Sequence, residues 1–440
     1  MTTDAAPWDE LLEFTVELGR ASRWSAGEPG PGRSRWDVNT WGPGGVGPTG
    51  SWEWGLSAEW EQIPPELVLG IVNVTGADDL VTTAASSTTT VRLWNRDGLL
   101  GADDAQSYLL GASLRVWAQQ LPEGGRVMVA WGIVDRPVLG GTPQVPTVTL
   151  TAYDALSAWA NGAVAGELGP AAETVTQRLH RCADAIGWPE NGRDFAVDAT
   201  MVGQDDGTNP LDCATRAVSS AGGILWSDPA EPVSIVRYRP ASWVDQLVKA
   251  TPELAIVVGE PAGQPEGVPV ARPTDHEAEH SMGDLVNVVQ LATQAAVPLT
   301  SHREDDASIS RFGRRSAGPL SDLLLMTQAE LDARAMLELT RSAWPRPTVS
   351  PLSVTVYDAG SAAAALLRFG APVWVGRAPE PEGGANGYSF RAMAAGVSLD
   401  VSASSCTVSP KLLALETLAD AQSARWGVAR WSAGDTWGPL

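Results

Sequence analysis

Lysine is almost missing from this chain: Lys249 and Lys411 are the only two among thirty basic residues. Neither sits in a glycine-rich loop, so a phosphate-cradling nucleotide site of the lysine type is excluded. Cysteine is equally scarce. Cys182, Cys213 and Cys406 show no CxxC spacing, which removes a disulfide framework and a zinc ribbon and leaves small buried thiols as the expectation. No GxSxG word occurs, and no run of eighteen uncharged apolar residues, so neither a serine-hydrolase elbow nor a membrane-spanning helix is expected. The opening MTTDAAPWDELLEF is acidic where a secretory leader is basic and then apolar, so a soluble, non-exported chain is expected.

Positive charge is also in deficit. With 52 acidic residues the formal net charge is -22. Phosphate contacts need local cations, and a field of this sign repels DNA, so no specific nucleic-acid binding is expected. Adjacent carboxylates such as Asp205 and Asp206 arise by chance at this acid content and do not by themselves make a glycosidase pair.

Tryptophan, by contrast, is abundant, at 19 residues. Residues 1–60 hold many of them among glycines and prolines that prevent regular helix. RWSAG at Arg23–Gly27 returns at Arg430–Gly434, and NTWGP at Asn39–Pro43 is echoed by DTWGP at Asp435–Pro439. Large flat side chains on a segment too broken to build a core read as docking anchors. The candidate interaction residues are Trp24, Trp36, Trp41, Trp52 and Trp54 at one end and Trp426, Trp431 and Trp437 at the other; packing on the chain's own domain is the competing reading.

From Leu67 the pattern turns to strands. ELVLGIVNVTG, TTTVRLWN, SLRVWAQQ, RVMVAWGIVDRPV and TVTLTAYDAL alternate and are separated by turn chemistry. Two helices follow. One has Val175, Leu179, Ala183 and Ile186 at helical spacing; the other opens on Asn209 with Pro210 in its first turn and closes on Gly222. A third helix is predicted over Thr327–Ala343, among further strands. The expected fold is mainly β with α+β insertions: a compact antiparallel barrel or sandwich and a second β-rich domain that mirrors it, flanking a small α+β domain. The divisions are an N-terminal arm (1–60), a first β domain (61–164), an α+β domain (165–257), a Pro/Gly-rich linker (258–283), a second β domain with one helix (284–412) and a C-terminal tail (413–440).

HEAEH, His276 to His280, followed by Gly283, is the sharpest chemical word. On a helix, His276 and His280 would grip zinc with Glu277 as the base. Val286 stands where a third histidine would be, and Pro269 and Pro273 oppose the helix. The expectation is a solvated acidic loop, with no metal and no cofactor. A zinc peptidase or cell-wall hydrolase using His276, Glu277 and His280 is one alternative function. A carbohydrate-binding module stacking tryptophans on cell-wall sugars is another.

The order of words carries a resemblance. TTTVRLWNRDGLLG, LRVWA, VAWGIVDRP and TVTLTAYDALSAWA resemble the first barrel of the tail-hub, or baseplate-hub, and minor tail proteins of long-tailed bacteriophages, through Asn95, Asp97, Gly98, Gly132, Asp135, Asp154 and Leu156. DLVNVVQL, DDASISRFGRRSAG, the alanine-rich helix, PRPTVSPLSVTV and RFGAPVWV are similar to the last barrel of the same hubs. The resemblance covers most of residues 60–410, and the Trp-rich ends depart from it. It implies that the two β domains, 61–164 and 284–412, are two related β-barrel domains, and that the chain is a non-enzymatic structural protein, usually a homotrimeric ring, at the virion tail tip after assembly in the host cytoplasm. Its partners would be further copies of itself, a distal tail or tail-tube protein, a tape-measure protein, and fibre or receptor-binding proteins, and its ring would form part of the DNA exit channel.

Overall fold

The computed structural model describes residues 11–20, 59–76, 85–95, 111–122, 124–161, 172–203, 209–231, 233–258, 264–280, 284–294, 297–377 and 388–416. Among the described residues the first seven strands are antiparallel: β1 (Leu12–Arg20), β2 (Glu59–Gln62), β3 (Val68–Gly76), β4 (Ala85–Trp94), β5 (Ser113–Gln120), β6 (Arg126–Thr142) and β7 (Val145–Tyr153), ordered β3-β4-β7-β6-β5-β1-β2. Period-2 alternation explains them. In β7, Val148, Leu150 and Ala152 are buried in the core while Thr149 and Thr151 take the opposite face. The β6–β7 connection needs glycine at 141, where φ is 88° and a Cβ would lie 2.2 Å from the Val145 carbonyl oxygen.

A small α+β module follows, with α1 (Ala155–Asn161), β8 (Ala172–Thr174), α2 (Val175–Ala185), β9 (Arg193–Phe195), β10 (Met201–Gly203), α3 (Pro210–Ala221), β11 (Ile224–Asp228), β12 (Ile235–Arg239) and α4 (Ser242–Lys249). The predicted signals act as expected. Val175, Leu179 and Ala183 are buried; Asn209 accepts a hydrogen bond from the Asp212 N–H at 2.8 Å; Gly222 ends α3 at φ 74°. The module core is built around Trp159 and Trp188, both fully buried, with Cys182 and Cys213 among their neighbours. The hydrogen bond between the two thiols, and then burial, push Cys182 far above its ordinary range, and burial pushes Cys406 up to about 12. All three thiols are buried and stand outside any disulfide, an environment that disfavours the reactive thiolate.

The remainder comprises β13 (Leu254–Val258), β14 (Val270–Ala271), β15 (Asp275–His280), β16 (Val288–Thr293), β17 (Thr300–Glu304), α5 (Asp306–Phe312), β18 (Leu320–Leu323), α6 (Gln328–Ser342), β19 (Pro347–Thr355), α7 (Ala359–Ala365), β20 (Pro372–Arg377), β21 (Tyr388–Ser402) and β22 (Cys406–Ala414). Thr327 caps the predicted helix, now α6, in a capping box with Glu330. The helix covers a separate three-stranded sheet, β17-β16-β18, through Leu331, Ala335 and Leu339.

The structure is mainly β with α+β insertions, as expected, but the β halves are not segregated. Strands β13–β15 and β19–β22 join β1–β7 in one fourteen-stranded sheet, and a single core runs from Leu12, Ile71 and Leu150 to Ile256, Val375 and Leu399. Among the described residues no pairing closes that sheet into a barrel. Three stretches also differ from expectation: residues 284–412, expected to carry one helix, carry α5, α6 and α7. The arm of residues 1–60 contributes β1, whose LEFTVEL alternation places Leu12 and Val16 in the core, and the stretch expected as a linker, 258–283, contains β14 and β15.

Candidate functional site

Strands β7 and β19 end in the same word. Thr151–Ala160 (TAYDALSAWA) and Thr355–Ala364 (TVYDAGSAAA) agree at seven of ten positions. In both, an Asp leaves the strand and opens a helix, α1 or α7. The first N–H groups of a helix have no partner inside it, and a carboxylate one residue before the first turn supplies one. Asp154 Oδ1 accepts from Leu156 N at 3.1 Å and Ser157 N at 3.3 Å. Asp358 Oδ1 accepts from Ser361 N at 2.7 Å, and the Ser361 hydroxyl closes a reciprocal capping box.

The surroundings of the two corners differ. Asp154 is 4% exposed, and its second oxygen accepts from Ser87 N at 2.8 Å and Ser87 Oγ at 3.0 Å, which ties the start of β4 to the end of β7. Burial pushes its carboxyl up to about 6 against the lowering effect of those hydrogen bonds. Asp358 is half-buried and caps its own helix. Leu156 of the first corner is buried in the module core, whereas its counterpart is Gly360, where a Cβ would stand 1.8 Å from the Val270 carbonyl oxygen of β14.

The two halves meet along β3 and β21, in register from Gly70 opposite Ser402 to Val74 opposite Ser398. Beyond Val74 a side chain continues the ladder. Thr75 Oγ1 donates to Val397 O at 3.1 Å and accepts from Val397 N at 2.9 Å. The backbones approach so closely that a Cβ at Gly396 would lie 2.2 Å from Thr75 O.

A buried charge cluster fastens the first strands to the module. Glu17 on β1 accepts from Trp117 Nε1 at 2.9 Å, Arg126 Nη2 at 2.7 Å and Arg115 Nε. Burial alone would raise the Glu17 carboxyl; the hydrogen bonds from Arg126, Arg115 and Trp117 outweigh it and hold it below its ordinary range. Arg115 also reaches Glu231 of the module, and its guanidinium lies 3.7 Å from the Trp60 ring. The backbone pairing of β1 with β2 sets positions 20 and 59 opposite one another at the β1–β2 edge.

HEAEH is neither helix nor loop. Its residues form β15, paired to β19, so His276 and His280 lie about 13 Å apart along an extended backbone, not one helical turn apart. Among the described residues no group of three or more His, Cys, Asp or Glu side chains could hold a metal ion. A cleft of about 300 Å³ between the module and the second half is lined by Trp226, Trp243, Phe369, Arg237, Arg239 and Arg368 among others. Its indoles stack at 5.3 Å, and Arg237 and Arg239 are paired with Asp194. Trp24, Trp36, Trp41, Trp52, Trp54, Trp426, Trp431 and Trp437, like Asp97 and Gly98, lie outside the described residues. Sequence reading missed the doubled corner, although its signal, T-x-Y-D-A-x-S-A, is in plain view; it also missed Glu17 and Thr75, which carry no local signature.

In three dimensions the chain is similar to a tail protein from Neisseria meningitidis, with a TM-score of 0.53 at 13% identity over 82% of this chain and 96% of that one. It is also similar to the 43 kDa tail protein of prophage MuSo2 from Shewanella oneidensis, with a TM-score of 0.54 at 12% identity over 92% and 98%. No family model and no curated protein matches its sequence. At such identities the likeness is one of fold. The resemblance to phage tail proteins, first met in the order of words, is met again in the course of the backbone.

Proposed function

We propose that the chain is a structural component of a phage tail tip: a hub in which a few copies close a ring that joins the tail tube or distal tail ring to fibre and receptor-binding proteins. The observation that carries this reading is the doubled strand–Asp–helix corner set within one continuous sheet. A chain that presents two like units lets a ring of few copies offer twice that number of similar faces, which suits a part placed between assemblies of different symmetry. The fold shared with tail proteins supports it. The reading assigns the chain geometry rather than catalysis; the strand at HEAEH lacks the one-turn histidine spacing that the zinc-peptidase alternative needs.

The charge fits a wall along which DNA passes. A net charge of -22 gives exit without phosphate binding, because cations lining the path would hold the duplex. The test is the mass and image of the purified full chain. Light scattering is expected to give a small multimer and electron microscopy a ring with a central hole; a monomer at every concentration tried would end the reading.

A further inference from the structure

Strand β6 outruns its neighbour. Its pairing with β5 ends at Ile133 opposite Ser113, and backbone bonds to Gly111 and Ala112 carry it to Val134. From Asp135 to Thr142 it stays paired with β7 alone, as far as Thr142 opposite Val145. Among the described residues no strand lies along its outer edge over this stretch. Val138, Leu139 and Val145 are 42%, 43% and 46% exposed. The register places Val138 and Val145 on one face of the hairpin and Leu139 on the other.

An apolar edge strand held out in water is a template for pairing, which proteins usually blunt with lysine, other charges or proline. Here the blunting residues, Asp135, Arg136 and Pro137, stand at the inner end of the edge, and Val138–Thr142 beyond them carries neither charge nor proline. From Pro137 to Tyr153 there is no charged residue, and Gly140 and Gly141 leave the backbone bare. The rest of the chain carries the whole net charge of -22, so two copies repel each other wherever their acidic surfaces approach. The uncharged hairpin is where contact between copies carries no such penalty.

We propose that the β6–β7 hairpin is the self-association element of this chain: its outer edge, Arg136–Thr142, adds as a strand to a second copy and packs Val138 and Val145 against it. This rests on the ring reading and names the part that makes the ring. The test uses the full chain with a photoreactive phenylalanine analogue at position 138, and at the exposed Val297, between β16 and β17, as a control. Irradiation is expected to give a covalent two-chain product from position 138 and none from 297. In parallel, the Val138→Lys/Val145→Lys variant is expected to weaken association at least tenfold by light scattering with an unchanged circular dichroism spectrum. The added lysines lower the net repulsion between copies, so general electrostatics would push the other way. A monomeric wild type overturns the ring reading and this one with it. A wild-type multimer that survives both lysines, or that gives no inter-chain product from position 138, leaves the ring and overturns the hairpin. Capture of residues 96–110 of the same chain, which precede β5, also overturns it. Should the double variant fail to fold, the cross-link decides alone.

Discussion

The corner at Asp154 and the corner at Asp358 begin from nearly the same ten residues and end in different physical states. The first is sealed: its carboxylate serves four donors from two elements, and Leu156 fills the module core. The second is open. Asp358 serves its own helix, Tyr357 is 47% exposed, and Gly360 makes room for β14. The cap is a property of the local word; what the cap is worth is set by what packs over it. A duplicated motif therefore predicts shared backbone geometry and says little about shared energetics.

Of the three positions where the words differ, exchange at Leu156 and Gly360 includes the largest single loss. Leu156→Gly removes a buried leucine and loosens a helix start, for a loss of about 4 kcal/mol in equilibrium denaturation. Gly360→Ala is expected to cost about 2 kcal/mol by forcing β14 away. If both replacements were neutral, the two corners would be interchangeable and the contrast empty.

Asp154→Ala comes next. It strands Ser87 N, Ser87 Oγ, Leu156 N and Ser157 N in a buried site, for a loss of about 3 kcal/mol. A midpoint shift no larger than that of Asp358→Ala would refute the sealed-corner account.

The pH dependence sharpens the same contrast. The folded carboxyl of Asp154 titrates near 6, above its unfolded value, so the folded state holds that proton more tightly. Stability from this group is therefore full at low pH and lost as pH rises from about 4 through about 6, a change on the order of 2 to 3 kcal/mol. Glu17 has the opposite sign. Its lowered carboxyl contributes stability above the ordinary range that is lost as pH falls through its folded value. Asp154→Asn should flatten the upper part of the stability profile and leave the acid limb to Glu17; an unchanged slope between pH 4.5 and 6 would show that burial at Asp154 is not felt.

These differences mark what could be read in advance. The alternation that made β7, the cap at Asn209, the stop at Gly222 and the box at Thr327 are local, and each was legible because its partner lies within a few residues. The union of β3 with β21 was not: Thr75 meets Val397 across most of the chain, and neither neighbourhood records the other. β1 was hidden by composition, since the glycines and prolines that follow Arg20 drew LEFTVEL into the reading of an arm. HEAEH departed from expectation for the converse reason. Its acids and the prolines before it read as a solvated loop, yet as β15 they lie on a strand that, among the described residues, is paired on one side only, where charge discourages further pairing.

The smallest effect tests the contrast from its weaker side. In Asp358→Ala the first turn of α7 loses its side-chain acceptor, but the corner is partly open and water can replace it. The loss should be about 1 kcal/mol, the ordinary worth of an exposed cap. Asp358→Asn should recover most of it, because an amide oxygen accepts from Ser361 N as a carboxylate does. At the sealed corner Asp154→Asn can satisfy the donors on one oxygen only, since its amide nitrogen must face either Ser87 or the helix start. Rescue by asparagine at 358 and not at 154 is thus the expected pair of results, and full rescue at both would mean that the four donors around Asp154 do not converge on it in solution.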